Sequence, residues 1–237
     1  MTGIGKTTIV KVIKNRILSE FDGNCLLEDV QLGSKHGGLV GLQKKLLCDI
    51  LRVRTLHLSD IDDGIDKIRR RLRNKKVLII LDNVDNFRQL DALAKERSWF
   101  GNGSRIIVIC RDEHLLNAHG MDAKYEVPSL NFHYARRLFS WYAFRQLSPL
   151  NDYADCFHEI VRYGGGHPLA LKVLGSFLSN KSPPEWTAAL EQLKSTLHGE
   201  MLKYLETAIN LRLREIPFST EALARKNIAR VPQFRAL

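Results

Sequence analysis

The chain has 237 residues, 44% hydrophobic and 26% charged, which excludes wholesale disorder and leaves room for one or two packed domains. Thirty-six Lys+Arg against 26 Asp+Glu give a formal charge of +10; that excess suits a polyanionic partner, but also a basic ATP-binding chain. No apolar run approaches the roughly 20 residues a bilayer-spanning helix needs, and Cys25, Cys48, Cys110 and Cys156 include no Cys-x-x-Cys pair, so they read as reduced, partly buried thiols of a cytosolic protein.

In chain order, "MTGIGKTT" carries the back half of a phosphate-cradling loop: Gly3, Gly5, Lys6, Thr7 and Thr8. The full pattern is glycine, four residues, then Gly-Lys-Ser/Thr, which puts its first glycine one place before Met1. "TTIVKVIKNRILSEF" follows with Ile9, Val12, Ile13, Ile17 and Phe21 at helical spacing. "NCLLEDV" reads as a short buried strand, and "GGLVGLQKKLLCDILR" as a helix with Leu39, Leu42, Leu46, Leu47, Ile50 and Leu51 on its stripe. "SDIDDGIDKIRRRLRNKK" is a helix with an acidic start and a basic end, the order that suits the helix dipole. "VLIIL" before Asp82, and "GSRIIVIC" before Arg111, lack alternation and predict parallel strands covered on both faces; "KYEV" predicts a shorter strand. Helix–strand alternation to about Val127 implies a doubly wound α/β domain. After Pro128 only helices are predicted, with Leu138, Phe139, Tyr142 and Phe144 forming one core-facing aromatic stripe. The stretch "LRLREIP" faintly resembles one leucine-rich unit, but a single unit cannot bury its own face.

Four segments carry chemistry. Glycines let backbone N–H groups converge on phosphate oxygens at a helix start, where Lys6 can reach phosphate and the Thr7 hydroxyl can ligate Mg²⁺. The competing reading is a flexible glycine-rich N-terminus. Asp82 ends a buried strand, where ligands sit in open α/β sheets, and so can hold Mg²⁺ through water opposite Thr7; alternatively it caps the loop "DNVDN". Arg111, just past the next strand, is either a cation for the terminal phosphate or an ordinary surface arginine. Pro168 in "GGGHPLAL" starts a helix, which is structurally routine for proline.

Together these segments resemble the NB-ARC domain of plant nucleotide-binding leucine-rich-repeat resistance proteins. Order and spacing match through "TGIGKTT", "LDNVD", "GSRIIVICRD" and "GGGHPLALKVLGSFL", with "YEVPSLN", "ARRLFSWYAF" and "EWTAALEQLK" between and after them. Asp85 is similar to the class carrying a TIR domain, and the likeness covers about residues 1 to 195. The resemblance implies a P-loop NTPase-type parallel sheet lacking its first strand, followed by a small helical bundle. It divides the chain into a nucleotide-binding subdomain at 1–128, a helical subdomain at 129–198 and an unassigned divergent tail at 199–237.

The implied function is a regulatory switch in defence signalling, closed with ADP and open with ATP. Gly3, Ile4, Gly5, Lys6, Thr7 and Thr8 would hold the nucleotide, Thr7 and Asp82 the magnesium, Arg111 the terminal phosphate, and Pro168 the adenine. Asp82 and Arg111 are then the candidate catalytic groups. Implied partners are nucleotide and other resistance-protein domains or signalling proteins; nucleic acid through "KIRRRLRNKK" is disfavoured against a solvated helix end, and no membrane is expected. The compartment is cytoplasmic, with the nucleus second.

The sequence departs from the family at several positions. Asn83 replaces the usual second acidic residue, and an amide cannot act as a general base, so hydrolysis would be slow at most. Ile109-Cys110 replaces Thr-Thr, and His167 stands where Leu is usual. The missing first glycine and first strand lead to the expectation of a truncated product, for which a non-binding remnant or decoy acting through protein contacts, or a slow ATPase, is the alternative.

Overall fold

In the computed structural model residues 2–195 are described; the end of the predicted helical subdomain at 196–198, the tail at 199–237 and the leucine-containing stretch at 211–217 lie outside the described residues. The chain forms two compact units, one spanning Thr7–Tyr125 and the other gathering residues 2–6 with the described residues from 126 onward.

The first unit is built on a parallel sheet. Helix α1 (Lys6–Ile17) buries Ile9, Val12, Ile13 and Ile17 as their spacing predicts. Strand β1 (Gly23–Leu27) is shorter than its apolar text suggests, because Asp29 adopts a left-handed backbone and its carboxylate caps α2 (Val30–His36). Helix α3 (Gly38–Leu51) follows, then α4 (Ile61–Leu72), whose start is fixed by Asp60 accepting the Asp63 N–H at 2.8 Å. Strand β2 (Val77–Val84), α5 (Phe87–Ala94), β3 (Arg105–Cys110) and α6 (Glu113–Ala118) complete the unit.

The strand order is β1-β2-β3, all parallel, with Cys25 opposite Ile79 and Ile79 opposite Ile106. Crossover helices joining parallel strands make this a P-loop NTPase-type α/β arrangement. Central β2 has neighbours on both sides, and Val77 to Leu81 are each 0% exposed. Val77, Ile79 and Leu81 join a core with Leu46, Leu47, Ile68, Leu72 and Leu90, while Leu78 and Ile80 are buried on the opposite face. That double cover is why "VLIIL" shows no alternation. β3 has one described neighbour and is mostly half-buried.

The predicted strand at "KYEV" does not form. Residues 124–127 are unpaired, Lys124 and Glu126 are exposed, and Tyr125 and Val127 are only half-buried. The alternation is real, but Pro128 accounts for the extended backbone before it without any sheet pairing.

The second unit is helical: α7 (Phe132–Phe144), α8 (Ala154–Tyr163), α9 (Pro168–Leu178) and α10 (Pro183–Ser195). Leu138, Phe139 and Tyr142 of α7 enter its core, and Phe144 packs on it from a half-buried position. Trp186 sits at the centre, fully buried, with its Nε1–H donated to the Leu178 carbonyl at 2.9 Å and Phe139 edge-on at 5.6 Å.

Of the four cysteines, all free, Cys25 and Cys156 are buried. Burial, together with the Asp49 carboxylate that accepts its S–H at 3.3 Å, pushes the Cys25 thiol far up, so it is no nucleophile.

One polar side chain holds three helices together. Gln43 on α3 is fully buried and donates its amide to the Ile61 carbonyl at 3.0 Å and the Ala92 carbonyl at 2.9 Å. Gly64 on α4 leaves the space it fills; a Cβ there would run into the Gln43 amide. Glycine-to-alanine in an open helix gains about 1 kcal/mol. Here Gly64→Ala is expected to lower the melting temperature, because moving Gln43 breaks two bonds worth about 1 kcal/mol each. A raised melting temperature in thermal unfolding would contradict this packing.

Candidate functional site

The predicted site residues fall into two groups, each within its own unit. In the sheet unit the Thr7 hydroxyl, one residue into α1, donates to Asp82 Oδ2 at 2.9 Å across 75 positions of sequence. Asp82 stands where the ladder between β2 and β3 slips: Leu81 pairs with Val108, pairing resumes at Val84 with Cys110, and Asp82 and Asn83 fall in the gap. It therefore lies near the strand's carboxyl end, as the sequence implies, with β2 running two residues further to Val84. Thr8 follows on α1, half-buried. Arg111 is the first residue after β3 and is exposed; it makes no hydrogen bond or ion pair with Asp82 among the described residues. Its neighbour Asp112 caps α6 by accepting the His114 N–H at 2.9 Å.

In the helical unit Gly3 and Gly5 have φ of 77° and 97°, left-handed conformations that favour glycine. Ile4 between them is buried, and Lys6 is half-buried at the first residue of α1. The Gly3 carbonyl accepts the Leu169 N–H at 3.3 Å, which brings the loop against the start of α9, where Pro168 is the first helical residue. His167 caps this helix: its Nδ1 accepts the Ala170 N–H at 3.4 Å, leaving Nε2 to carry the proton and donate to the Thr2 carbonyl at 2.8 Å. A leucine at this position could make neither bond.

A polar network that the sequence reading missed adjoins Asp82. Asn83, at φ 58°, donates its amide to Asp29 Oδ1 at 2.8 Å and to Gln31 Oε1 at 3.2 Å. Asp29 is itself left-handed, at φ 51°. Gln31 donates to Asp85, and buried Gln89 donates to Asp85 Oδ1 at 2.8 Å and to the Ser34 hydroxyl at 3.0 Å. The available signal was weak: Asp29 and Gln31 are the polar residues just after an apolar strand, and Gln89 is a polar residue on an otherwise apolar helix face.

Chemically, Thr7 and Asp82 present one hydroxyl and one carboxylate, hard oxygen donors. Among the described residues there is no group of three His, Cys, Asp or Glu able to hold a metal alone. Such a sparse oxygen set fits magnesium, which keeps several waters and shares its sphere with substrate phosphates. It does not fit a structural zinc site.

The sequence profile of the NB-ARC domain matches residues 1–148. The chain belongs to the NB-ARC family. This NB-ARC chain is similar to the disease resistance protein RUN1 of Vitis rotundifolia, 42% identical over 205 residues that cover 86% of the chain and 15% of the relative. It is 39% identical over 213 residues to the TMV resistance protein N of Nicotiana glutinosa, covering 87% of the chain and 18% of that protein. The disease resistance protein TAO1 of Arabidopsis thaliana is 33% identical over 214 residues, covering 88% and 18%. The NB-ARC chain thus spans under a fifth of the length of these relatives. Among the described residues no helix is long and apolar enough to cross a membrane.

The helical unit makes a testable demand on the backbone. Gly166 has φ 69°, and a Cβ there would collide with the Leu130 carbonyl, whose own N–H donates to the Gly166 carbonyl at 2.8 Å. Gly166→Ala is expected to destabilise the helical unit by about 1–3 kcal/mol, read as a lower denaturant midpoint. An unchanged midpoint would show that the turn before α9 relaxes freely.

Proposed function

We propose that the chain is a nucleotide-binding regulatory module that takes ADP or ATP with Mg²⁺ and serves plant defence signalling as part of a resistance protein. The observation that carries this reading is the 2.9 Å hydrogen bond between Thr7 and Asp82, because it joins the two conserved-type motifs of a phosphate site through the atoms that would share a metal. The relatives' names supply the defence role, and their greater length supplies the further domains as partners.

In this reading the backbone N–H groups from Gly3 to Gly5 cradle phosphate, with Ile4 anchoring the loop, and Lys6 adds a charged donor. Thr7 and Asp82 hold the magnesium, which neutralises phosphate charge when bound, and Thr8 supports the first turn of α1. Arg111, exposed at the end of β3, reaches for the terminal phosphate, and Pro168 lies against the adenine. Asn83 has no proton-accepting group to activate water, so turnover is slow at most and binding is the product of the site. The functional division follows 1–128 for nucleotide and 129–198 for the helical subdomain, and the compartment is cytoplasmic.

Isothermal titration with ADP tests the reading. The unaltered chain is expected to bind, and Lys6→Ala to weaken binding by about 10- to 100-fold, the value of one lost charge-assisted bond to phosphate. Equal heats from both proteins would contradict nucleotide binding at this loop and favour a module acting through protein contacts alone.

A further inference from the structure

Asn83 looks like a lost catalytic acid in sequence, and its surroundings assign it a different task. The residue lies in the gap where the β2–β3 ladder slips, directly after Asp82, so whatever holds it also holds the peptide that follows the Asp82 carboxylate. Those torsions are left-handed, which costs a non-glycine residue about 1 kcal/mol or more, least for asparagine. The conformation persists because something holds it. The holder is Asp29, across the sheet at the carboxyl end of β1, which accepts the Asn83 amide at 2.8 Å while sitting in the left-handed region itself.

The chemistry of this pair is directional. Ionised Asp29 can only accept, and its Oδ1 also takes the Leu32 N–H at 3.3 Å, so the group facing it must be a donor. An amide satisfies that requirement; a second carboxylate at the same distance has no donor to offer and repels the first. Gln31 adds a second acceptor for the amide and links onward to Asp85, which buried Gln89 fixes from α5. The end of β1 and α2 therefore both reach the residue next to Asp82, and α5 joins the same network two residues further on, at Asp85.

We propose that Asn83 is a positioning residue, and that the Asp29–Asn83 clamp aims Asp82 at Thr7 and thereby tunes how strongly a bound nucleotide is held through its divalent cation. The proposal rests on the nucleotide-binding reading above. It differs from that reading in what it requires of the amide: an acid at position 83 damages the site, although it resembles a restoration of the more usual sequence.

The test is the ratio of ADP dissociation constants in EDTA and in Mg²⁺, measured by titration at pH 8 for the whole chain and four variants. Asn83→Asp is expected to cut the metal-dependent gain by about tenfold at pH 8, the usual scale for losing an outer partner of a metal ligand. The exchanged pair Asp29→Asn with Asn83→Asp restores at least half of the lost gain at pH 8, whereas Asp29→Asn alone does not match the unaltered chain. Asn83→Gly accepts the left-handed backbone without strain but lacks the amide, and it is expected to lose the gain as well; it carries the test if Asn83→Asp fails to fold. A full metal-dependent gain in Asn83→Asp or in Asn83→Gly overturns the clamp, as does a loss that the exchange does not reverse. An unaltered chain that binds no ADP in either buffer overturns the functional reading itself, and the clamp with it.

Discussion

One hydrogen bond organises the sheet unit: Thr7 on α1 to Asp82 on β2. Each partner is delivered by a different physical device. Thr7 is placed by a helix whose apolar stripe docks it in the core. Asp82 is placed by five consecutive fully buried residues, Val77 to Leu81, which can only be accommodated between two strands and two covered faces. A carboxylate directly after such a run must emerge where the apolar environment stops. The slip in the ladder at this point frees Asp82 from regular pairing and lets it meet the hydroxyl.

The cost of that arrangement is local strain, and it is concentrated where a phosphate site would use it. Asp29 and Asn83 are both left-handed without being glycine, and they hold each other by a 2.8 Å bond. The rest of β2 has no such feature. In the N-terminal loop and in the turn before α9 the same demand for unusual backbone is met by glycine instead, at Gly3, Gly5 and Gly166. The difference has a reason. Gly3 and Gly166 face a close approach by Leu169 and Leu130, whereas Asn83 and Asp29 contribute side chains to the network.

Much of this was legible in the sequence because it depended on local patterning. The apolar run before Asp82, the glycine spacing around Lys6, and the helical stripe through Leu42, Leu46 and Ile50 each state their element directly. The Thr7–Asp82 meeting followed from motif order, since the loop and the strand end occupy the same edge of any sheet of this type. What was not legible depends on tertiary distance. Asn83 and Asp29 lie 54 positions apart, and nothing in either residue announces the other. Gln43 reads as a polar gap in a leucine stripe, yet it is fully buried and joins α3 to α4 and α5. "KYEV" misled in the other direction: Tyr125 and Val127 alternate as an edge strand would, but a strand also needs a partner, which periodicity cannot supply.

The central claim is that Thr7 and Asp82 act as one unit on a metal-bound nucleotide. A double-mutant cycle measures it most directly: the Mg²⁺-dependent part of ADP affinity in Thr7→Val, Asp82→Asn and the combined variant. If the two side chains share the ion, each single change removes most of the metal-dependent affinity and the pair removes little more, leaving a coupling of about 1 kcal/mol or greater. Losses that simply add, or single variants that keep the full metal dependence, would contradict the account.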